Sequence, residues 1–282
     1  MKIKEYRSYF INEIAPAFDF SEAESFFYII LQHLHHLKRI DLALNLDLEM
    51  SANQLLHWDK IVQELQTQKP IQYILGETDF FGLKFIVNEN TLIPRPETEE
   101  LVELILNSVK SKKLNLKILD IGTGSGCIAI ALAKNLSNAQ VFALDVSEKA
   151  LEIAQINAKN NQVEVTFLHQ NILETTNLQQ QFDVIVSNPP YVRNLEKAEI
   201  NKNVLDFEPH LALFVEDTDA LLFYRKIAQL AVINLSKTGL LYFEINQYLG
   251  QETAQLLENS GFKNIQLLKD VYGNNRMISC TL

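Results

Sequence analysis

The 282-residue chain has little of what would tie it to a nucleic acid, a membrane or an oxidising compartment. Basic charge is short: 25 Lys and Arg face 35 Asp and Glu, a formal net charge of -10. A surface that grips a phosphate backbone is normally basic, so direct binding of DNA or RNA is not expected. Nowhere do 18 or so apolar residues run uninterrupted, which argues against a transmembrane helix. The start, MKIKEYRSYFINEIAPAF, lacks the long uncharged apolar stretch of a secretory signal. Two cysteines, Cys127 and Cys280, cannot build a disulfide framework and suit a reducing cytoplasm. No internal repeat or low-complexity tract stands out. What the chain does have is 47% apolar residues, enough for one large domain and a small one.

The pattern changes twice along the chain. Residues 1–70 read as a small helical bundle. Ser21 and Glu24 form an S-x-x-E capping box, followed by apolar residues at Phe27, Ile30, Leu31, Leu34 and Leu37. Ser51 and Gln54 start a second stripe, Leu55, Trp58, Ile61, Val62 and Leu65, which Pro70 closes. Residues 71–93 hold Gly76 and FFGLKFIV, which read as a β-hairpin linker. From Pro94 to Leu282 strand and helix alternate. Pro96 begins a helix with Glu97, Glu99 and Glu100 in its first turn, where the helix dipole favours acids. Strands are expected at 117–121, 141–145, 163–168, 183–187, 240–245, 264–269 and 277–281. This βαβ order predicts an α/β domain with a doubly wound, mostly parallel sheet. Only YGNN separates the last two strands, too short for a parallel crossover, so they should pair antiparallel.

ILDIGTGSG, Ile118 to Gly126, is a strand running into a glycine turn and then a helix. Glycines there let main chain approach a ligand where a Cβ would clash. Asp145 ends the next strand, where a carboxylate can accept hydrogen bonds from ribose hydroxyls. A dinucleotide fingerprint needs G-x-G-x-x-G, and its sixth position here is Cys127. The spacing G-x-G-x-G suits S-adenosylmethionine, which has no phosphates to cradle.

Ser187-Asn188-Pro189-Pro190-Tyr191 follows the strand FDVIVS. A planar amide or exocyclic amine is a poor nucleophile because its lone pair is delocalised. Two acceptors can hold its N–H bonds and aim the nitrogen: the Asn188 side-chain oxygen and the Pro189 carbonyl. The prolines remove competing N–H donors. Tyr191 offers a flat face for a planar amide. Asn188, Pro189 and Tyr191 are thus the candidate catalytic residues, with Pro190 completing the acceptor pocket. With a neutral thioether as leaving group, alignment does most of the chemistry.

Across these motifs the whole chain resembles the protein-(glutamine-N5) methyltransferases that act on peptide chain release factors. The resemblance rests on Gln72 to Glu103, which carries PRPETE, on ILDIGTGSG, Asp145 and SNPPY, and on D-x-x-G-x-x-R at Asp270, Gly273 and Arg276. It implies a Rossmann-like methyltransferase domain, with Gly122, Thr123, Gly124, Ser125 and Gly126 on the methionine part of S-adenosylmethionine. It implies Asp145 on the ribose, Asn188 to Tyr191 on the glutamine, and Asn188 beside the cofactor as well. Relatives often carry an acid and an aromatic near the adenine; here those positions are Asn171 and Ile172. The acceptor it implies is the glutamine of the Gly-Gly-Gln loop in release factors, with the helical domain holding the protein substrate. The alternatives are a ribosomal-protein glutamine methyltransferase, an adenine-N6 DNA methyltransferase and a binding module that has lost catalysis.

Other residues have less distinctive readings. His33, His35 and His36 have no cysteine or ligand-spaced carboxylate near them and read as ordinary helix histidines. Arg95 is a candidate for the cofactor carboxylate or a main-chain carbonyl. Glu244 reads as a structural carboxylate and Arg276 as an anchor of the terminal hairpin.

Overall fold

The computed structural model describes residues 1–110 and 115–282. They fall into two compact units, residues 1–76 with 201–207, and residues 77–200 with 208–282.

In the first unit, α1 (Ile3–Ile14), α2 (Phe20–His35), α3 (Arg39–Leu44), α4 (Ala52–Gln66) and α5 (Ile71–Leu75) precede α9 (Lys202–Phe207) of the later segment. The expected stripes supply the core: Phe27, Ile30, Leu31, Trp58, Ile61, Val62 and Leu65 are buried, with Leu34, Leu37 and Leu55 partly buried against them. Phe10 meets the Trp58 ring edge-on at 5.6 Å, and Trp58 donates to His35 Nε2 at 2.9 Å. That bond satisfies the one polar atom of a buried indole and gives His35 a packing role. The Ser51 capping box forms: Gln54 N donates to the Ser51 hydroxyl at 3.3 Å and Ser51 N to the Gln54 side chain at 2.8 Å. The Ser21 box does not. Asp19, extended at φ -76° and ψ 170°, caps α2 by accepting from Glu22 N, so Ser21 already lies inside the helix. Glu24 pairs with Arg7 instead. Pro70 does not end α4, which stops at Gln66; it precedes α5.

The second unit opens with a hairpin, β1 (Glu77–Phe80) and β2 (Leu83–Ile86), turned by Phe81 and Gly82, both at positive φ. That mirror-image two-residue turn matches the twist of paired strands. The remaining strands are β3 (Lys117–Ile121), β4 (Gln140–Asp145), β5 (Thr166–His169), β6 (Phe182–Ser187), β7 (Val192–Arg193), β8 (Phe214–Val215), β9 (Leu235–Glu244), β10 (Lys263–Lys269) and β11 (Asn275–Thr281). The helices are α6 (Pro96–Val109), α7 (Cys127–Asn135), α8 (Glu148–Asn160), α10 (His210–Leu213), α11 (Leu222–Asn234) and α12 (Gly250–Asn259).

Seven strands form one sheet in the order β10-β11-β9-β6-β3-β4-β5. β9, β6, β3, β4 and β5 are parallel; β11 runs antiparallel to both β9 and β10, as the short YGNN link requires. Strand side chains alternate between two cores. Ile118, Val141 and Val184 pack with α6 and α7, whereas Leu119, Leu144 and Ile185 pack with α11. A sheet buried on both faces explains why these strands are apolar throughout. β5 starts at Thr166 rather than Val163, because Val163 N is still bonded to Ala158 O at the end of α8. The order reverses between β3 and β6, where the chain turns from one side of the sheet to the other. In open α/β sheets, ligands bind outside the carboxyl ends of strands at such a point.

Candidate active site

A cavity of about 250 Å³ opens there. Its wall includes Gly122 to Ser125 after β3, Asp145 at the end of β4, Asn171 and Ile172 after β5, and Asn188 to Pro190 after β6. Four strand ends therefore bring together motifs that are up to 68 positions apart in sequence, because parallel register aligns their carboxyl ends.

The glycine loop is held by backbone and by Asp145. Gly122 N and Thr123 N both donate to Leu144 O, at 2.8 and 3.1 Å. Gly124 N donates to Asp145 Oδ2 at 2.8 Å, and Ser147 N to Asp145 Oδ1 at 2.9 Å. Burial pushes the Asp145 carboxyl up, and the N–H groups of Ser147 and Gly124 pull it back. Each oxygen keeps lone-pair capacity for a further donor. Asp145 thus fixes the loop as well as facing the cavity.

The three glycines have different jobs. Gly122 and Gly124 sit at φ +73° and +55°, and a Cβ on either would meet no protein atom within 4 Å. Both face the cavity, so their bareness leaves room for a ligand. Gly126, at φ +82°, is not in the cavity wall. A Cβ there would lie 2.9 Å from Ile130 Cδ1 and 3.1 Å from Ala154 Cβ, so this glycine lets α7 and α8 pack closely.

At the other wall, Ser187 donates to Ile121 O at 2.6 Å and locks the end of β6 to β3. Asn188 Nδ2 donates to Thr98 Oγ1 at 3.3 Å. Thr98 donates to Glu244 Oε2 at 2.6 Å, and the Tyr191 hydroxyl to Glu244 Oε1 at 3.1 Å. Glu244 is 1% exposed; burial pushes its carboxyl up, opposed by the Thr98 hydroxyl, the Arg276 charge and the Tyr191 hydroxyl. Tyr191 does not line the cavity. Burial and the Glu244 charge keep its hydroxyl protonated. Asn246 Nδ2 holds Tyr191 O at 3.0 Å and Glu196 at 2.9 Å, steadying the chain beyond the two prolines.

Arg95 lines the cavity, but its guanidinium pairs with buried Glu208, which also accepts from Ile93 N at 3.1 Å. Arg276 Nε donates to Asp270 at 3.2 Å, and Asp270 Oδ1 accepts from Tyr272 N and Asn274 N, so the terminal D-x-x-G-x-x-R builds its own hairpin turn. Asn171 spans a turn: its Oδ1 accepts from Leu173 N at 3.0 Å and its Nδ2 donates to Glu174. Ile172 is buried beside it. Thr98, Asn246, Asn157 and Glu208 were not singled out in the sequence. Thr98 lies inside PRPETE, which marked the segment without marking the residue; the other three carry no local signal.

The wall suits a ligand without phosphates. Among the described residues that line it, Arg95 is the one cation, and it is already paired. A bare glycine cradle, one acceptor carboxylate and buried Ile172 match a nucleoside bearing an amino acid better than a diphosphate.

Comparison with known proteins bears on the whole chain. A family model described as the methyltransferase small domain matches residues 97–207, and one described as the PrmC N-terminal domain matches residues 13–76. The release factor glutamine methyltransferase of Flavobacterium psychrophilum is 66% identical over 280 residues, covering 99% of this chain and 98% of the relative. That of Streptococcus pneumoniae is 41% identical over 280 residues, with the same coverage of 99% and 98%. Among solved structures, the T. thermophilus 16S rRNA N2 G1207 methyltransferase, in complex with AdoMet and guanosine, superposes with a TM-score of 0.52 at 19% identity. It covers 73% of this chain and 49% of its own, a likeness of fold.

Proposed function

The chain belongs to the release factor glutamine methyltransferases, and on that premise we propose how its cavity serves the transfer. The enzyme moves a methyl group from S-adenosylmethionine to the side-chain amide nitrogen of a glutamine in a peptide chain release factor. When bound, S-adenosylmethionine supplies an electrophilic methyl on a sulfonium with a neutral thioether behind it.

The protein's part is to hold and aim. Gly122 to Ser125 take the methionine portion, Asp145 accepts from the ribose hydroxyls, and Asn171 with Ile172 edges the adenine. Asn188 Oδ1 and the Pro189 carbonyl accept the two N–H bonds of the glutamine amide. Neither is a strong base, so their contribution is orientation, and alignment is worth several kcal/mol in such a displacement. Pro190 closes the pocket. Tyr191 acts from outside the cavity wall by holding Glu244. The observation that carries this reading is that Asn188 to Pro190 and the glycine loop with Asp145 open onto one cavity.

The acceptor we propose is the glutamine of the Gly-Gly-Gln loop, and the helical unit is its recognition surface. A lone glutamine offers few contacts, so selection of one protein needs a second surface. A chain beginning at Lys69 is expected to bind S-adenosylmethionine, lose most of its kcat/KM on intact release factor, and change little on a Gly-Gly-Gln peptide. Equal efficiency on the intact protein would remove that role. The net charge of -10 supports a protein partner over a nucleic acid, and two free, buried cysteines support a reducing cytoplasm as its location. Labelled-methyl transfer to release factor, ribosomal protein and DNA side by side tests the whole reading. Label on ribosomal protein or DNA, with none on release factor, would overturn it.

A further inference from the structure

Four side chains from three segments, Asn188 among them, join in one hydrogen-bonded chain. Thr98 comes from the first turn of α6, Asn188 and Tyr191 from the chain after β6, and Glu244 from the end of β9. Thr98 is 2% exposed and Glu244 1%. The direction of each bond follows from what each atom can give. A carboxylate only accepts, so the 2.6 Å contact with Glu244 uses the single hydroxyl proton of Thr98. The Thr98 oxygen then has only lone pairs left, and the group facing it at 3.3 Å must be the Asn188 NH2. Tyr191 donates to the second carboxylate oxygen at 3.1 Å, which leaves Glu244 no freedom to turn away.

This matters because a primary amide has two ends of similar size and opposite sense. With its oxygen outward, Asn188 accepts an N–H and selects an amide. With its NH2 outward, it donates, and a carboxylate fits better than an amide. Nothing in Asn188 itself chooses between the two.

We propose that Thr98 and Glu244 are positioning residues that set the amide polarity of Asn188, Glu244 orienting the Thr98 hydroxyl and Thr98 retaining the NH2 so that Oδ1 meets the acceptor. The proposal rests on the reading that Asn188 receives the glutamine amide. It gives PRPETE a function: the segment supplies the hydroxyl that makes Asn188 selective for glutamine over glutamate. A Glu244 carboxylate is required because it alone accepts from two hydroxyls. A glutamine at 244 would offer one acceptor oxygen, and its NH2 would turn one hydroxyl round.

The test uses the full-length enzyme with Thr98→Val, Thr98→Ser and Glu244→Gln. One readout is methyl transfer to intact release factor. The second is binding, with S-adenosylhomocysteine present and no turnover, of release factor carrying either glutamine or glutamate at the acceptor position. In Thr98→Val both kcat and the preference for glutamine over glutamate are expected to fall by about tenfold or more, with KM moving less. Thr98→Ser, which keeps the hydroxyl, is expected to restore both to within a few-fold, whereas a merely structural role would leave the preference untouched. Glu244→Gln is expected to lower the preference in the same direction and carries the test if Thr98→Val fails to fold. The proposal is overturned if Thr98→Val, or in its place Glu244→Gln, keeps the wild-type preference for glutamine. It is overturned equally if Thr98→Ser folds and does not restore it. A wild-type protein that transfers no methyl to release factor would instead overturn the functional reading itself.

Discussion

Asn157 and Ile86 are bonded twice: Ile86 N donates to Asn157 Oδ1 at 2.7 Å and Asn157 Nδ2 to Ile86 O at 2.9 Å. The same NH2 reaches Ser125 O at 3.0 Å. One fully buried amide on α8 therefore stitches the hairpin strand β2 to the glycine loop. Asn157→Ala should leave three main-chain groups without this partner and cost on the order of 3 kcal/mol. Urea unfolding measures it. A loss below about 1 kcal/mol would mean the groups find other partners.

The glycines separate stability from binding. Gly126→Ala should destabilise the fold through contact with Ile130 and Ala154 as well as positive φ. Gly122→Ala meets no protein atom, so its cost should be limited to roughly 1–2 kcal/mol of backbone strain while cofactor affinity falls further. Melting curves beside calorimetric titration with S-adenosylmethionine distinguish the two. Normal affinity in Gly122→Ala would mean that this glycine serves only the turn.

Asp145→Ala should weaken S-adenosylmethionine binding by about 1.5–3 kcal/mol, the worth of a charged acceptor on ribose hydroxyls. Because Gly124 N also rests on Asp145, the loop should lose protection in amide hydrogen exchange as well. Unchanged affinity with a loosened loop would confine Asp145 to the structural part.

Stability should depend on pH through Asp120. Burial pushes this carboxyl from 3.8 up to about 7, against hydrogen bonds from Thr123 and Ala129. The folded state thus holds the proton more tightly than the unfolded chain. Its contribution is most favourable below about pH 4, is lost as pH rises toward 7, and stays lost above. Asp120→Asn removes the titration. Wild type measured against Asp120→Asn should therefore be relatively more stable at pH 5 than at pH 8. An equal difference at both pH values would place the Asp120 titration outside this window.

Much of this was legible in the sequence where the cause is local. β3 matches its expected span because an apolar run before a glycine turn needs no distant partner to define it. The antiparallel terminal hairpin follows from a link too short for a crossover. Asp145 and Asn188 were recognisable as strand-end residues, and they do face one cavity. The Ser21 signal misled, because S-x-x-E spacing does not fix where the backbone leaves the helix: Ser21 lies inside α2, and Asp19, with extended backbone, is the cap.

What only the tertiary structure decided is which groups meet. Thr98 and Glu244 are 146 positions apart, and Asn188 and Thr98 are 90 apart. Their meeting depends on the sheet order that sets β9 beside β6 and on how α6 packs against it. The same holds for Gly126, which reads as a third ligand-facing glycine in a row yet serves helix packing, because that depends on where Ala154 of α8 lies. Residue type and spacing state what chemistry a side chain can do; strand register and helix packing determine which partner completes it.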